Sequence, residues 1–199
     1  MKKKTRILMM MAMGILLNVI GAMIAMTFSI PFYMDSIGTI LVAGLLGPKY
    51  AMMTGVLGSL TSGMTFDVYS FYYAPVQLTT GFFAGILFHT KWLKGIRMPI
   101  GSLLVAVPTS LLSAVVTAFL FGGITSGSST FIIQFLHNIG LNLITSVFIV
   151  QVMTDYLDKL LAVYIVSLII ERGQLYEKWG IAWKDTATLK IKSNEKSYY

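Results

Sequence analysis

Apolar residues run along this chain in long blocks, and polar or basic residues separate the blocks at regular intervals. Blocks longer than a strand, with no period of two, predict helices. Six spans are expected. The first covers residues 7–26. A second, short one follows Pro31, covers 35–46 and stops at Gly47-Pro48; the third covers 50–62. The fourth covers 75–88, with Pro75 in a first turn where its missing N–H is harmless, and the fifth covers 99–121. After the Gly/Ser-rich "GGITSGSS" comes an apolar stretch over 130–170. As one helix it would be about 60 Å long, twice the hydrocarbon thickness of a bilayer. It is expected to break near "HNIGLN" into an outer helical segment and a final span.

Composition places these helices in lipid. Mean hydropathy is +0.77 and only 12% of the 199 residues are charged, about half the share of a soluble domain. The reading is an all-α integral membrane protein, a compact bundle of six transmembrane helices. Residues 1–173 form the membrane domain and 174–199 a polar tail, whose Trp179 and Trp183 among lysines suit the lipid interface. The first apolar block is about 20 residues long, against 7–15 for a signal peptide, so a retained helix is expected.

Charge sets the orientation. Lys2, Lys3, Lys4 and Arg6 precede span one, and Lys49 lies between spans two and three. Lys91, Lys94 and Arg97 lie between four and five, and Arg172 and the tail lysines follow span six. The alternate loops at 27–34, 63–74 and 122–140 hold no Lys or Arg, and of the 15 basic residues only Lys159 falls within a span. The positive-inside rule then puts both termini in the cytoplasm. Basic residues gathered at headgroup positions also argue against nucleic acid as a partner.

The outer side is where polar and aromatic groups gather. Residues 65–75, "TFDVYSFYYAP", hold Asp67, Tyr69, Phe71, Tyr72 and Tyr73, with Gln77 close behind. An aromatic belt at the headgroups would scatter its rings over several spans, whereas rings clustered beside a carboxylate suit stacking on a flat ligand. Asp35 starts span two, where it is also suited to cap a helix. His137, Asn138 and Asn142 fall in the outer segment before the last span. Asp155 and Lys159, spaced i, i+4, are expected to pair on one face of that span. Charges in hydrocarbon cost several kcal/mol, so these groups must face protein or a wet cavity, with the ion pair either ordering span six or lining a pocket.

Catalysis finds no support. His89 and His137 fall on opposite sides of the membrane and cannot share one metal or acid–base site, and no cofactor or metal is expected. There is no cysteine, no H-E-x-x-H, no G-x-S-x-G and no Walker A sequence. An enzyme is not expected, and any ATP hydrolysis must come from partner subunits. Small residues in span one point to close helix contacts: Gly14, Asn18 and Ala22 at four-residue spacing, with Gly21 and Ala25 beside them. Much of that stripe suits packing within the chain, and span one is also placed to dock on another membrane protein.

In order and spacing, "DSIGTILVAGLLGPKYAMMTGVLGSL" across spans two and three and "DYLDKLLAVYIVSLIIERG" closing span six resemble the substrate-binding S components of energy-coupling factor (ECF) transporters. The resemblance covers roughly residues 5–173. It implies a multi-pass protein of a prokaryotic plasma membrane that captures a vitamin or vitamin precursor on the outer side. It further implies docking to a membrane scaffold subunit with two cytoplasmic ATPases, and toppling in the membrane to release cargo. Family members build the pocket from the outer ends of the last three helices and the loops over it. The matching positions here are Tyr69, Phe71, Tyr72, Tyr73, Gln77, His137, Asn138, Asn142, Asp155 and Lys159, and Asp35 and Asp67 join them as expected substrate contacts from their outer position alone. The family's Ala-x-x-x-Ala docking signature is not literally present; Gly14, Asn18 and Ala22, or Gly21 and Ala25, would stand in for it. Dense aromatics with carboxylates and an amide suit a small pyridoxine- or pyrimidine-like cargo, with cobalamin as the rival. The other readings are a self-sufficient small-solute carrier or channel, which should have polar groups in the inner half as well, and a membrane scaffold or sensor without cargo.

Overall fold

The computed structural model describes residues 3–90, 92–124 and 129–172, and among them the chain is all-helical. The helices are α1 (Lys3–Thr27), α2 (Ile37–Leu46), α3 (Pro48–Thr65), the single turn α4 (Tyr69–Tyr72), α5 (Ala74–His89), α6 (Met98–Val115), α7 (Ser129–Asn138) and α8 (Leu143–Arg172). Proline marks three of the starts: Pro48, Pro75 and Pro99 sit in the first turns of α3, α5 and α6, where a helix has no use for the missing N–H. The break in the long C-terminal stretch falls between Asn138 and Leu143, where Gly140 takes φ 103°. Past Val115, α6 loosens into a π-helical stretch, Val116–Leu120.

The short helix α2 is the centre. All ten of its residues are buried, and it packs against α1, α3, α5 and α8. Gly47, at φ 89°, ends it and lets α3 begin at once, a backbone turn that an L side chain would strain. Helix α6 lies along α8 and α5, and α7 rests on α8. An apolar core of Ile40, Leu41, Leu45, Phe88, Val105, Val163 and Val166, with others, fills the half of the bundle near the α2–α3 and α5–α6 connections.

Two segments, Lys4–Thr27 and Gly95–Leu120, are long and apolar enough to cross a membrane. Helix α5 has only 16 residues, and α8 carries Asp155, Asp158 and Lys159 in its middle. The bundle is inside-out by soluble standards. Leu8, Leu16, Ile100, Leu111, Phe119, Phe131, Phe135, Met153 and Tyr164 are exposed, whereas Asn18, Gln77, Ser110, Gln151, Asp158 and Lys159 are buried. Soluble monomers rarely present so much contiguous apolar surface.

The small-residue stripe of α1 does not face outward. A Cβ on Gly38 would stand 1.8 Å from the Gly14 carbonyl oxygen, and one on Gly21 would stand 2.1 Å from that of Met34. Asn18, Ala22 and Ala25 are buried as well. The expected docking residues Gly14, Asn18, Gly21, Ala22 and Ala25 are therefore taken up within the chain, because α2 must come close enough to α1 for backbone to meet backbone. The expected interfacial tail, with Trp179 and Trp183, lies outside the described residues.

That contact makes a prediction. Gly38→Ala should destabilise the fold by about 1–3 kcal/mol, as overpacking of a tight contact does. Ala replacing exposed Met23 should leave stability near wild type. Thermal unfolding in detergent, followed by size-exclusion chromatography, measures both. Equal melting of the two variants would mean the α1–α2 approach is looser than described.

Candidate functional site

Three helices are tied by one polar seam. Asn18 Oδ1 accepts from the N–H groups of Gly38 (2.7 Å) and Thr39 (3.1 Å), and its Nδ2 donates to Thr39 Oγ1 at 2.8 Å. Thr39 Oγ1 donates onward to Gln77 Oε1 at 3.2 Å, and Gln77 Nε2 donates to the Asp35 backbone carbonyl at 3.2 Å. The run joins α1, α2 and α5, and it satisfies two N–H groups in the first turn of α2, which a helix cannot serve itself. Asp35 is not the cap expected of it. The N-cap position is Ser36, whose side chain makes no cap hydrogen bond and goes to α8 instead.

The receiving group on α8 is Asp158. Its Oδ1 accepts the Met34 N–H at 2.9 Å; its Oδ2 accepts Ser36 Oγ at 2.7 Å and Lys159 Nζ at 2.8 Å. Met34 takes φ 53°, uncommon for a residue with a side chain, in delivering that N–H. Lys159 thus pairs with its neighbour in sequence and not with Asp155 as its spacing suggests. The long ammonium arm can curl to the carboxylate that already anchors the 34–36 segment, whereas Asp155 lies against α6. Ser110 and Ser113 of α6 lie beside the Asp155 side chain, whose Oδ2 has no hydrogen-bond partner among the described residues.

Between these elements lies a cavity of about 30 Å³, lined by Tyr33, Asp35, Asp67, Tyr73, Gln77 and Asp155, with Ser70, Val76, Ser113, Asp158 and Lys159 completing the wall. A space of that size holds about two water molecules. It lies toward the end of the bundle where the α1–α2 and α3–α5 connections run, and the apolar core occupies the other half. Four carboxyl groups and one ammonium share it.

The aromatic segment divides. Tyr73 faces the cavity, its hydroxyl 2.5 Å from Thr117 Oγ1, which in turn accepts from Gln151 Nε2 at 2.7 Å. The π-helical stretch after α6 carries Thr117, a buried hydroxyl that links the start of α5 to α8. Tyr69 and Tyr72 meet Phe121 edge-on, with ring centroids 4.7 and 5.2 Å apart, and Phe71 covers Gly63. Asp67 both lines the cavity and caps the α4 turn, accepting the Tyr69 N–H at 3.2 Å and Ser70 Oγ at 2.8 Å. Tyr69, Phe71 and Tyr72 are thus absent from the lining, because one helical turn can aim only one of its rings inward.

His137, Asn138 and Asn142 also stay outside the cavity and are exposed. They build the turn between α7 and α8: His137 Nδ1 is 2.9 Å from the Leu141 carbonyl oxygen, and Asn142 Oδ1 accepts the Ile144 N–H at 2.9 Å as an N-cap does. Sequence reasoning found Asp35, Asp67, Tyr73, Gln77, Asp155 and Lys159. It left out Tyr33, Ser70, Val76 and Ser113 of the lining and the clamp made by Asp158. The spacing of Asp158, three residues after Asp155, was the available signal.

The Asp158–Lys159 pair predicts an asymmetry. Asp158→Asn should cost about 3–5 kcal/mol, because it leaves a buried ammonium without its counter-charge. Lys159→Met should destabilise too, and the double variant should recover part of the loss. Asp155→Asn, which breaks no ion pair, should be far milder. Thermal melts of the four variants decide; equal losses for Asp155→Asn and Asp158→Asn would contradict the assigned pairing.

No protein-family model, curated protein or solved structure matches this chain, so its site is read from its own geometry.

Proposed function

We propose that this chain is a six-span membrane subunit that captures a vitamin-like small molecule from the outer side, in the manner of an ECF S component. The observation that carries the proposal is a polar cavity confined to one half of the bundle, over an apolar other half. Exposed apolar side chains on α1, α3, α5, α6, α7 and α8 suit lipid on all sides, and among the described basic residues Lys4, Arg6, Lys49, Lys94, Arg97 and Arg172 fall toward the end opposite the cavity, with Lys159 alone in its wall. Both termini are then cytoplasmic and the cavity opens outward. A carrier acting alone would need polar groups continuing through the bundle, and Ile40, Leu41, Phe88, Val163 and Val166 stand there instead. Movement of cargo past that core falls to a membrane scaffold and its two ATPases.

Room for about two waters is too little for any vitamin, so cargo enters as the cavity wall yields. The part best suited to yield is the 66–73 segment, a single turn with Phe71 and Tyr72 exposed between α3 and α5. A small heteroaromatic cargo fits such a wall better than a corrin, which would require the bundle itself to spread.

The test is uptake. Protein in liposomes, with no ATPase present, should bind the small molecule that mass spectrometry finds released from the denatured protein, and should not concentrate it. Concentrative uptake by the chain alone would sink the proposal. Within the same assay, Tyr73→Ala should weaken binding by roughly tenfold or more, the loss expected for a buried ring, and Tyr72→Ala should stay within about threefold. The reverse ranking would place the cargo against the outer rings and not in this cavity.

A further inference from the structure

The cavity is unbalanced in charge. Asp35, Asp67, Asp155 and Asp158 line it, and Lys159 is the single cation among the lining residues. Asp67 is occupied by the first turn of α4, and Asp158 is fully engaged by Met34, Ser36 and Lys159. Asp155 differs. It is 95% buried on the cavity wall, beside Ser110 and Ser113 of α6, and its Oδ2 has no hydrogen-bond partner among the described residues. A buried carboxylate oxygen left without a donor costs free energy that an incoming donor would restore. In a native fold such a group calls for a partner, and on a cavity wall an incoming ligand, a water or an ion can supply one.

The walls favour a positively charged donor. Tyr33 and Tyr73 stand with ring centroids 6.2 Å apart and planes inclined at 36°, on the same cavity as the carboxylates. Aromatic faces beside carboxylates form the surroundings in which organic cations are held, by ring quadrupole and counter-charge together. An anionic group would meet carboxyls on most sides, with the one ammonium already committed to Asp158. We propose that the cargo of this cavity is an organic cation, carrying a protonated amine or amidine that donates to Asp155 Oδ2 beside the rings of Tyr33 and Tyr73. The inference rests on the reading of this cavity as the cargo site, and it names the charge of what enters.

The experiment uses three probes of one shape and different charge: benzylammonium, benzyl alcohol and benzoate. Each is titrated against the purified full chain in a potassium-based buffer of constant ionic strength, with ligand-observed NMR and thermal unfolding as readouts. Sodium ion forms a separate arm. Benzylammonium should bind and raise the melting temperature. Benzyl alcohol and benzoate should bind at least about tenfold more weakly, as the loss of one charge-assisted hydrogen bond implies. Asp155→Asn should remove the preference for the ammonium, whereas His137→Ala, outside the cavity, should retain it. If Asp155→Asn does not fold, the wild-type panel decides alone. Equal or tighter binding of benzyl alcohol or benzoate overturns the cationic assignment and leaves a cargo site of another charge standing. Stabilisation by sodium without any response to benzylammonium also overturns it, since the oxygen would then serve an inorganic ion. Silence from every probe, with no small molecule released from the denatured protein, defeats both this assignment and the capture function.

Discussion

Everything in this bundle turns on the cost of holding charge away from water. Asp158 and Lys159 are each 2% exposed in the middle of a helix whose outer face is apolar. A pair in that setting persists only if its remaining lone pairs and protons find partners, because desolvation otherwise exceeds the mutual attraction. The chain meets the condition for Asp158 by bending the 34–36 segment back onto α8. The Met34 N–H and the Ser36 hydroxyl are the partners that complete it.

That bend shapes the rest. Residues 34–36 lead into α2, so anchoring them on α8 fixes where the buried helix begins. From there Asn18, Thr39 and Gln77 pass hydrogen bonds across α1, α2 and α5, and Gln77 returns to Asp35. The glycines of α1 and α2 let those backbones approach near enough for the seam to close. The cavity is the space left between this frame and α6, where Ser110 and Ser113 reach Asp155 from one side and Tyr73 stands on the other. One carboxylate is fully spent on architecture, and its neighbour one turn earlier keeps an oxygen in hand. Proposed capture and proposed charge selectivity both follow from that division.

Helix positions were legible because proline and glycine punctuate them. Pro48, Pro75 and Pro99 open helices, and Gly47 and Gly140 sit in the breaks. The cavity was half legible. Asp35, Gln77, Asp155 and Lys159 stand out as polar residues in apolar surroundings, and their cost in lipid is what marks them. Orientation was not legible. Helical spacing makes Asp155 and Lys159 candidates to pair, but which carboxylate wins depends on Ser36 and Met34, more than 120 residues away. Likewise nothing local shows that Tyr69 and Tyr72 turn to Phe121, or that the α1 stripe faces α2 and not a partner. His137 and Asn142 stand outside the cavity for a different reason. Polar residues at a helix–helix turn resemble ligand groups in sequence, and here they serve backbone capping.

In the proposed arrangement the cavity opens on the outer side of a membrane whose inner side meets the α5–α6 connection. The chain has no cysteine, so single cysteines can report this directly. Val68, beside the cavity wall, is 67% exposed, and Ile96, between α5 and α6, is 96% exposed. In intact cells a membrane-impermeant maleimide should label Val68→Cys and spare Ile96→Cys until the membrane is permeabilised. Labelling of Ile96→Cys in intact cells, with Val68→Cys protected, would invert the topology and contradict the account.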